Sequence, residues 1–284
     1  MKTKTMLLTM MQACILMLFI LGMTLTVHGS VLEESFVNKK ITNIKTENKL
    51  PMEKVSLNVS SELNKAKKEG KVVFLVITGN NAIGIEKALK IAKEANVKVP
   101  KSAVIQMNKD NSENSSLVTE LRVANVPIPF ILVISSKGIP VAGYSLAQAT
   151  SAILVKAVPS PKQDEVTAAI IAKKPVFIVV SKKGLSDKTA IINTCKTASA
   201  NILSKPTIIE IDFNDTKETA FLKQIGVESI NDKTKTVVAN ASGQITAVYE
   251  GNMSASILQI AATKTVKSGG CSPGGCKSGT GCGK

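Results

Sequence analysis

The spacing of apolar positions changes repeatedly along the chain, and each change predicts an element. Val72 to Thr78, VVFLVIT, is a continuous apolar run that fits a buried strand. It breaks at Thr78-Gly79-Asn80-Asn81 and resumes at helical spacing with Ile85, Leu89 and Ala92, which predicts a strand feeding a helix through a tight polar turn. Ser60-Ser61-Glu62 opens a short helix before the strand, ending near Gly70. Further on, the pattern predicts a helix over 83–95, a strand over 103–108 and a helix over 114–121. A strand from Phe130 to Ser135, the turn Ser136-Lys137-Gly138, a strand over 139–144 and a helix over 146–157 complete the unit. The order is βαβαββα, preceded by a helix, and the class is α/β.

Pro159-Ser160-Pro161 then punctuates the chain, and the same order begins again. A shift of about 104 residues sets Phe74 on Phe177, Ile105 on Ile209, Val123 on Val227 and Ile153-Leu154 on Ile257-Leu258, with one extra residue near the hairpin turn ending at Gly138 or Gly243. The expected organisation is a first domain over 58–158, a linker over 159–163 and a second domain over 164–264. A signal peptide or membrane anchor over 1–29 and a spacer over 30–57 precede them, and a tail over 265–284 follows.

The segment ELNKAKKEGKVVFLVITGNN resembles the opening of a thioredoxin-like domain, and Val123-Ala124-Asn125-Val126-Pro127 resembles the family's V-x-x-I-P segment. The resemblance implies tandem thioredoxin-like domains, each a central mixed, mostly parallel sheet flanked by helices and ending in an antiparallel hairpin. It also implies a place for a C-x-x-C pair at the N-terminus of the helix after the first strand. There the unpaired N–H groups and the helix dipole favour thiolate. These places hold Ala82 and Ile85 in the first domain and Ser186 and Thr189 in the second, so neither can form a disulfide and no catalytic residue carries over. Ser186 and Asp187 read as a helix cap and a first-turn acid. The family's cis-proline falls on Pro127, with Pro129 competing because it directly precedes the Phe130 strand; the repeat puts Asn231 opposite Pro127. A cis bond there would either shape a backbone edge for an extended peptide or be a relic of the fold.

Composition narrows the chemistry. The net charge is +15, but Arg122 is the only arginine and the chain has no Trp, two Tyr and seven Phe, which argues against a nucleic-acid reader. His28 is the only histidine, so a chain cleaved near Gly29 has none for Ser-His-Asp or Cys-His catalysis or for a metal site. Lys2 and Lys4 followed by the uncharged run Met6 to Val27 read as an export signal, or as an anchor if it is retained. The expected location is the periplasm, the cell envelope or an equivalent extracytoplasmic compartment, with contact to the membrane only through an uncleaved leader. Cys14, inside that run, reads as an inert leader residue.

Cys195 shares an apolar helix face with Ile191, Ile192, Ala198 and Ile202 and is expected to be buried. Asp212, Asn214, Asp215 and Glu218 lack the glycine and spacing of a calcium loop and read as a capped turn. The triplets at Asn58, Asn114, Asn214, Asn240 and Asn252 would be glycosylation acceptors in a eukaryotic secretory host.

The tail, TVKSGGCSPGGCKSGTGCGK, has no core-forming run and is expected to be disordered. Cys271, Cys276 and Cys282 stand on it, flanked by Lys267, Lys277 and Lys284. Three soft thiolates fit Cu(I) or Zn²⁺, although C-x4-C-x5-C supplies one ligand too few for a closed zinc site. Alternatively Cys271 and Cys276 form a small loop disulfide and Cys282 exchanges with a partner, or all three form incidental disulfides. The functional expectation is an exported protein whose domains bind or scaffold another protein while the tail handles thiols or soft metal. The alternative is a structural, peptide-holding protein without thiol chemistry.

Overall fold

The computed structural model describes residues 58–266. The leader with Cys14 and His28, the spacer, and the three tail cysteines lie outside the described residues. No described helix is long and apolar enough to cross a membrane.

The first half runs α1 (Val59–Lys68), β1 (Val72–Thr78), α2 (Ile85–Lys98), β2 (Ser102–Asn108), a 3-10 turn, α3 (Ser115–Glu120), β3 (Phe130–Ile134), β4 (Pro140–Ser145) and α4 (Ser151–Lys156). Its sheet has the order β2-β1-β3-β4. β1 pairs parallel with β2, setting Phe74 opposite Val104, and antiparallel with β3, setting Leu75 opposite Leu132. The sheet is therefore mixed, with one parallel pairing rather than the mostly parallel arrangement expected.

A central strand covered on both faces has no polar side, which is why β1 reads as an unbroken apolar run. Val73, Leu75 and Ile77 pack with Ala66, Ile105, Met107, Leu117 and Leu132 on one face. Val72, Phe74 and Val76 pack with Ala88, Ala92, Ala95, Ile131 and Leu154 on the other. Along α2 the small residues Ala88, Ala92 and Ala95 form one stripe, so the helix lies close on the sheet.

The second half repeats this with α5 (Pro161–Ile171), β5 (Val176–Ser181), α6 (Lys188–Ala200), β6 (Thr207–Asp212), α7 (Thr219–Gln224), β7 (Lys235–Ala239), β8 (Ile245–Glu250) and α8 (Ala255–Thr263), in a sheet ordered β6-β5-β7-β8. Core positions fix the repeat register. Val73 answers to Val176 and Ala88, Ala92 and Ala95 to Ile191, Cys195 and Ala198; Ile105 answers to Ile209, Leu132 to Val237 and Leu154 to Leu258. The offset grows by one residue between the first helix and the second strand, grows by one again before the third strand, and falls back by one before the last helix. The single inserted residue expected from the sequence is thus replaced by three one-residue steps, each in a connection, where length changes leave the core undisturbed.

Two boundaries also move. The helix expected over 146–157 begins only at Ser151, because Thr150 caps it by accepting from the Ile153 N–H at 3.2 Å. The expected linker over 159–163 is largely helix: Ser160 caps α5, accepting from the Gln163 N–H, and Pro161 occupies the first helical turn, where its missing N–H has no consequence.

Candidate functional site

In each half the end of the first strand, the N-terminus of the following helix and the lead-in to the third strand converge. In the first half Gly79 is buried, and a Cβ there would stand 2.6 Å from Ile128 Cδ1 and 2.7 Å from Asp110 Oδ2. Only glycine lets the three segments approach this closely. The Asn80 N–H donates to Asp110 Oδ2 at 2.7 Å, Asn108 Nδ2 donates to Asn80 Oδ1 at 3.2 Å, and the Asp110 N–H donates to Asn108 Oδ1 at 3.0 Å. The Lys109 ammonium, 2.9 Å from Asp110 Oδ1, and then the Asn80 N–H hold the Asp110 carboxyl below its ordinary range.

Gly84, left-handed at φ 87°, starts α2 without a side-chain cap. Ala82 is half-buried in the turn, Ile83 is 90% exposed and Ile85 opens the helix. No thiol or other nucleophile stands at this helix N-terminus. The cis peptide bond is Ile128–Pro129, so the competing candidate Pro129 holds it and Pro127 does not; Pro129 is buried and Pro127 exposed. Burial fits a residue placed directly ahead of β3.

The second half is built differently at the same place. By core register the counterparts of Ala82 and Ile85 are Leu185 and Lys188, one residue before the Ser186 and Thr189 expected from a constant shift. Thr234, directly ahead of β7, answers to Pro129, displacing the expected pairing of Asn231 with Pro127; Asn231 itself is exposed. Asp187 sits at the cap position of α6 but makes no capping bond. Its Oδ1 accepts from the Thr234 hydroxyl at 2.7 Å and its Oδ2 from the Thr234 N–H at 3.0 Å. A proline at 234 could not give the second bond. Lys182 Nζ donates to the Ile230 carbonyl at 3.1 Å, a second tie across the same gap, and Lys188 pairs with Glu210 at 2.9 Å. This end of the second domain is closed by its own side chains, a partnership that residues 47 positions apart gave no local sign of.

Cys195 is the one cysteine among the described residues. It is fully buried, and burial pushes its thiol up to about 12, far from the range of a reactive thiolate. No group of three or more His, Cys, Asp or Glu among the described residues is placed to hold a metal ion. The acidic cluster forms turns: Asp212 Oδ1 accepts from the Asn214 N–H and Asp215 Oδ1 from the Lys217 N–H, while Glu218 turns inward. Of the five glycosylation triplets, Asn114 and Asn240 are buried with their amides engaged, and Asn58, Asn214 and Asn252 are exposed.

The strand order and helix placement make each half thioredoxin-like in fold, and the first half also has a cis-proline ahead of its hairpin. No protein-family model and no curated protein matches the chain. Among solved structures, the first two thioredoxin domains of Naumovozyma dairenensis Eps1p align over 78% of this chain and 100% of theirs, at 14% identity and a TM-score of 0.29. Those of Saccharomyces cerevisiae Eps1p align over 71% and 96%, at 11% identity and 0.25. The zinc-bound form of human ERp44 aligns over 70% and 56%, at 11% identity and 0.31. Likeness at this distance says nothing about activity.

Proposed function

We propose that this is an exported protein whose two thioredoxin-like domains serve as binding or scaffold modules, with thiol–disulfide or soft-metal handling confined to Cys271, Cys276 and Cys282. One observation carries this reading: the nucleophile place holds no thiol in either domain, and the one described cysteine is sealed in a core. Any thiolate chemistry then falls to the tail, where neighbouring lysines favour thiolate able to take Cu(I), Zn²⁺ or a partner's disulfide. The partner we expect is another protein.

A second reading, interaction without thiol chemistry, draws on the difference between the two ends. The second is tied shut by Asp187 and Lys182, while the first presents an exposed Ile83 just ahead of its helix. Removing residues 267–284 separates the two readings. The first requires metal uptake and disulfide exchange to vanish while partner capture and folding survive. The second requires the truncated and full chains to behave alike, with Ile83→Asp instead weakening partner capture.

A further inference from the structure

Asp164 and Glu218 are 2% and 1% exposed, and their carboxylates are used at the junction of the halves. The chain leaves the first domain at Val158, which packs into that domain's core, and enters α5 at Pro161. Ser160 Oγ donates to Glu218 Oε2 and the Lys162 N–H donates to Glu218 Oε1 at 3.0 Å, fastening the first turn of α5 to the start of α7. One turn on, Asp164 faces back. Its Oδ2 accepts from the Ser136 hydroxyl at 2.7 Å and from the Lys137 N–H at 3.2 Å, both on the β3–β4 turn of the first domain. That turn is itself held rigid, because Ser135 Oγ accepts from the Lys137 and Ile139 N–H groups.

By core register the first-domain counterparts of Asp164 and Glu218 are Ser61 and Asn114, so neither carboxylate belongs to the repeated pattern. Burying a carboxylate is unfavourable unless it is well bonded, and these two spend their bonds on the junction. Asp164 Oδ1 is even left buried without a partner among the described residues. A helix-packing role alone would be better served by an apolar side chain.

We infer that Asp164, on a helix whose first turn Glu218 anchors, is a latch that joins the thioredoxin-like halves into one rigid, cooperatively unfolding body, with Pro159 and Pro161 limiting the connecting backbone. The latch fixes how the ends of the two domains face a partner, and it holds whatever the tail does.

The test compares the full chain with Asp164→Ala and with Ser136→Ala, the latter a change on a half-buried turn outside either core. The readouts are calorimetric unfolding and trypsin cleavage after Lys156 and Lys162. The latch predicts one transition in the unaltered chain and two in each variant. It also predicts cleavage at least about tenfold faster in the variants, because proteolysis follows the open population. The double variant should add little to either single one, since both remove the same bond. Two separate transitions in the unaltered chain, or equal cleavage rates in all three proteins, would overturn the inference.

Discussion

Replacing Asp187 with Ala should unfold the second domain far more easily. Thr234 is fully buried, and both its N–H and its hydroxyl are spent on this one carboxylate. A hydrogen bond to a charged acceptor contributes about 1.5–3 kcal/mol, so the gross loss is roughly 3–6 kcal/mol. Asp187 is only half-buried, which moves the expectation to the lower limit, about 3 kcal/mol. Loss of a negative charge at the α6 N-terminus, about 0.3–1 kcal/mol, is included in that range. With a urea slope of about 1.5 kcal/mol/M, the midpoint of the transition that includes the second domain should fall by roughly 2 M. Asp187→Asn keeps one acceptor and should lose about half as much, while Thr234→Ser keeps both donors and should be nearly neutral. The assay is urea denaturation followed by circular dichroism. A loss under about 0.5 kcal/mol for Asp187→Ala would refute the claim that this tie holds the end of the domain shut.

Other consequences are equally direct. Gly79→Ala drives a methyl into Ile128 and Asp110 and should cost about 1–3 kcal/mol of stability, read as a lowered urea midpoint. The Asp110 carboxyl is held below its ordinary range in the fold, so its contribution is present above about pH 4 and is lost as pH falls through the lowered value. The Asn80 amide should then exchange with solvent faster in acid, and in Asp110→Asn the acid dependence should disappear. Cys195 should resist a thiol reagent at neutral pH until denaturant is added. Because its folded thiol holds a proton to about 12 while an unfolded one releases it near 9.0, stability should decline as pH rises between those values. Cys195→Ala should remove that part of the decline.

The two sheets were legible because their central strands are continuous apolar runs and their helices carry apolar stripes, signals that burial writes directly into composition. The duplication was legible for the same reason, since Phe74 and Phe177 or Leu154 and Leu258 fill matching core places. The exact register was not, because one-residue steps in connections change no apolar pattern; that displaced Leu185 and Lys188 from the positions expected at Ser186 and Thr189. The choice between Pro127 and Pro129 turned on which residue is buried, a question of packing rather than of spacing. Asp164, Asp187 and Glu218 look like ordinary surface acids in sequence. Their partners lie 28, 47 and 58 residues away, and only the folded chain joins them.

The central claim is that the domains carry no thiol chemistry of their own. The most direct measurement is disulfide exchange and Cu(I) or Zn²⁺ uptake by the full chain and by a chain ending at Val266, with native intact-mass thiol counting on both. The account predicts activity or metal in the full chain and none in the shortened one, whose Cys195 stays unlabelled. Exchange or metal uptake that persists after the tail is removed would contradict it.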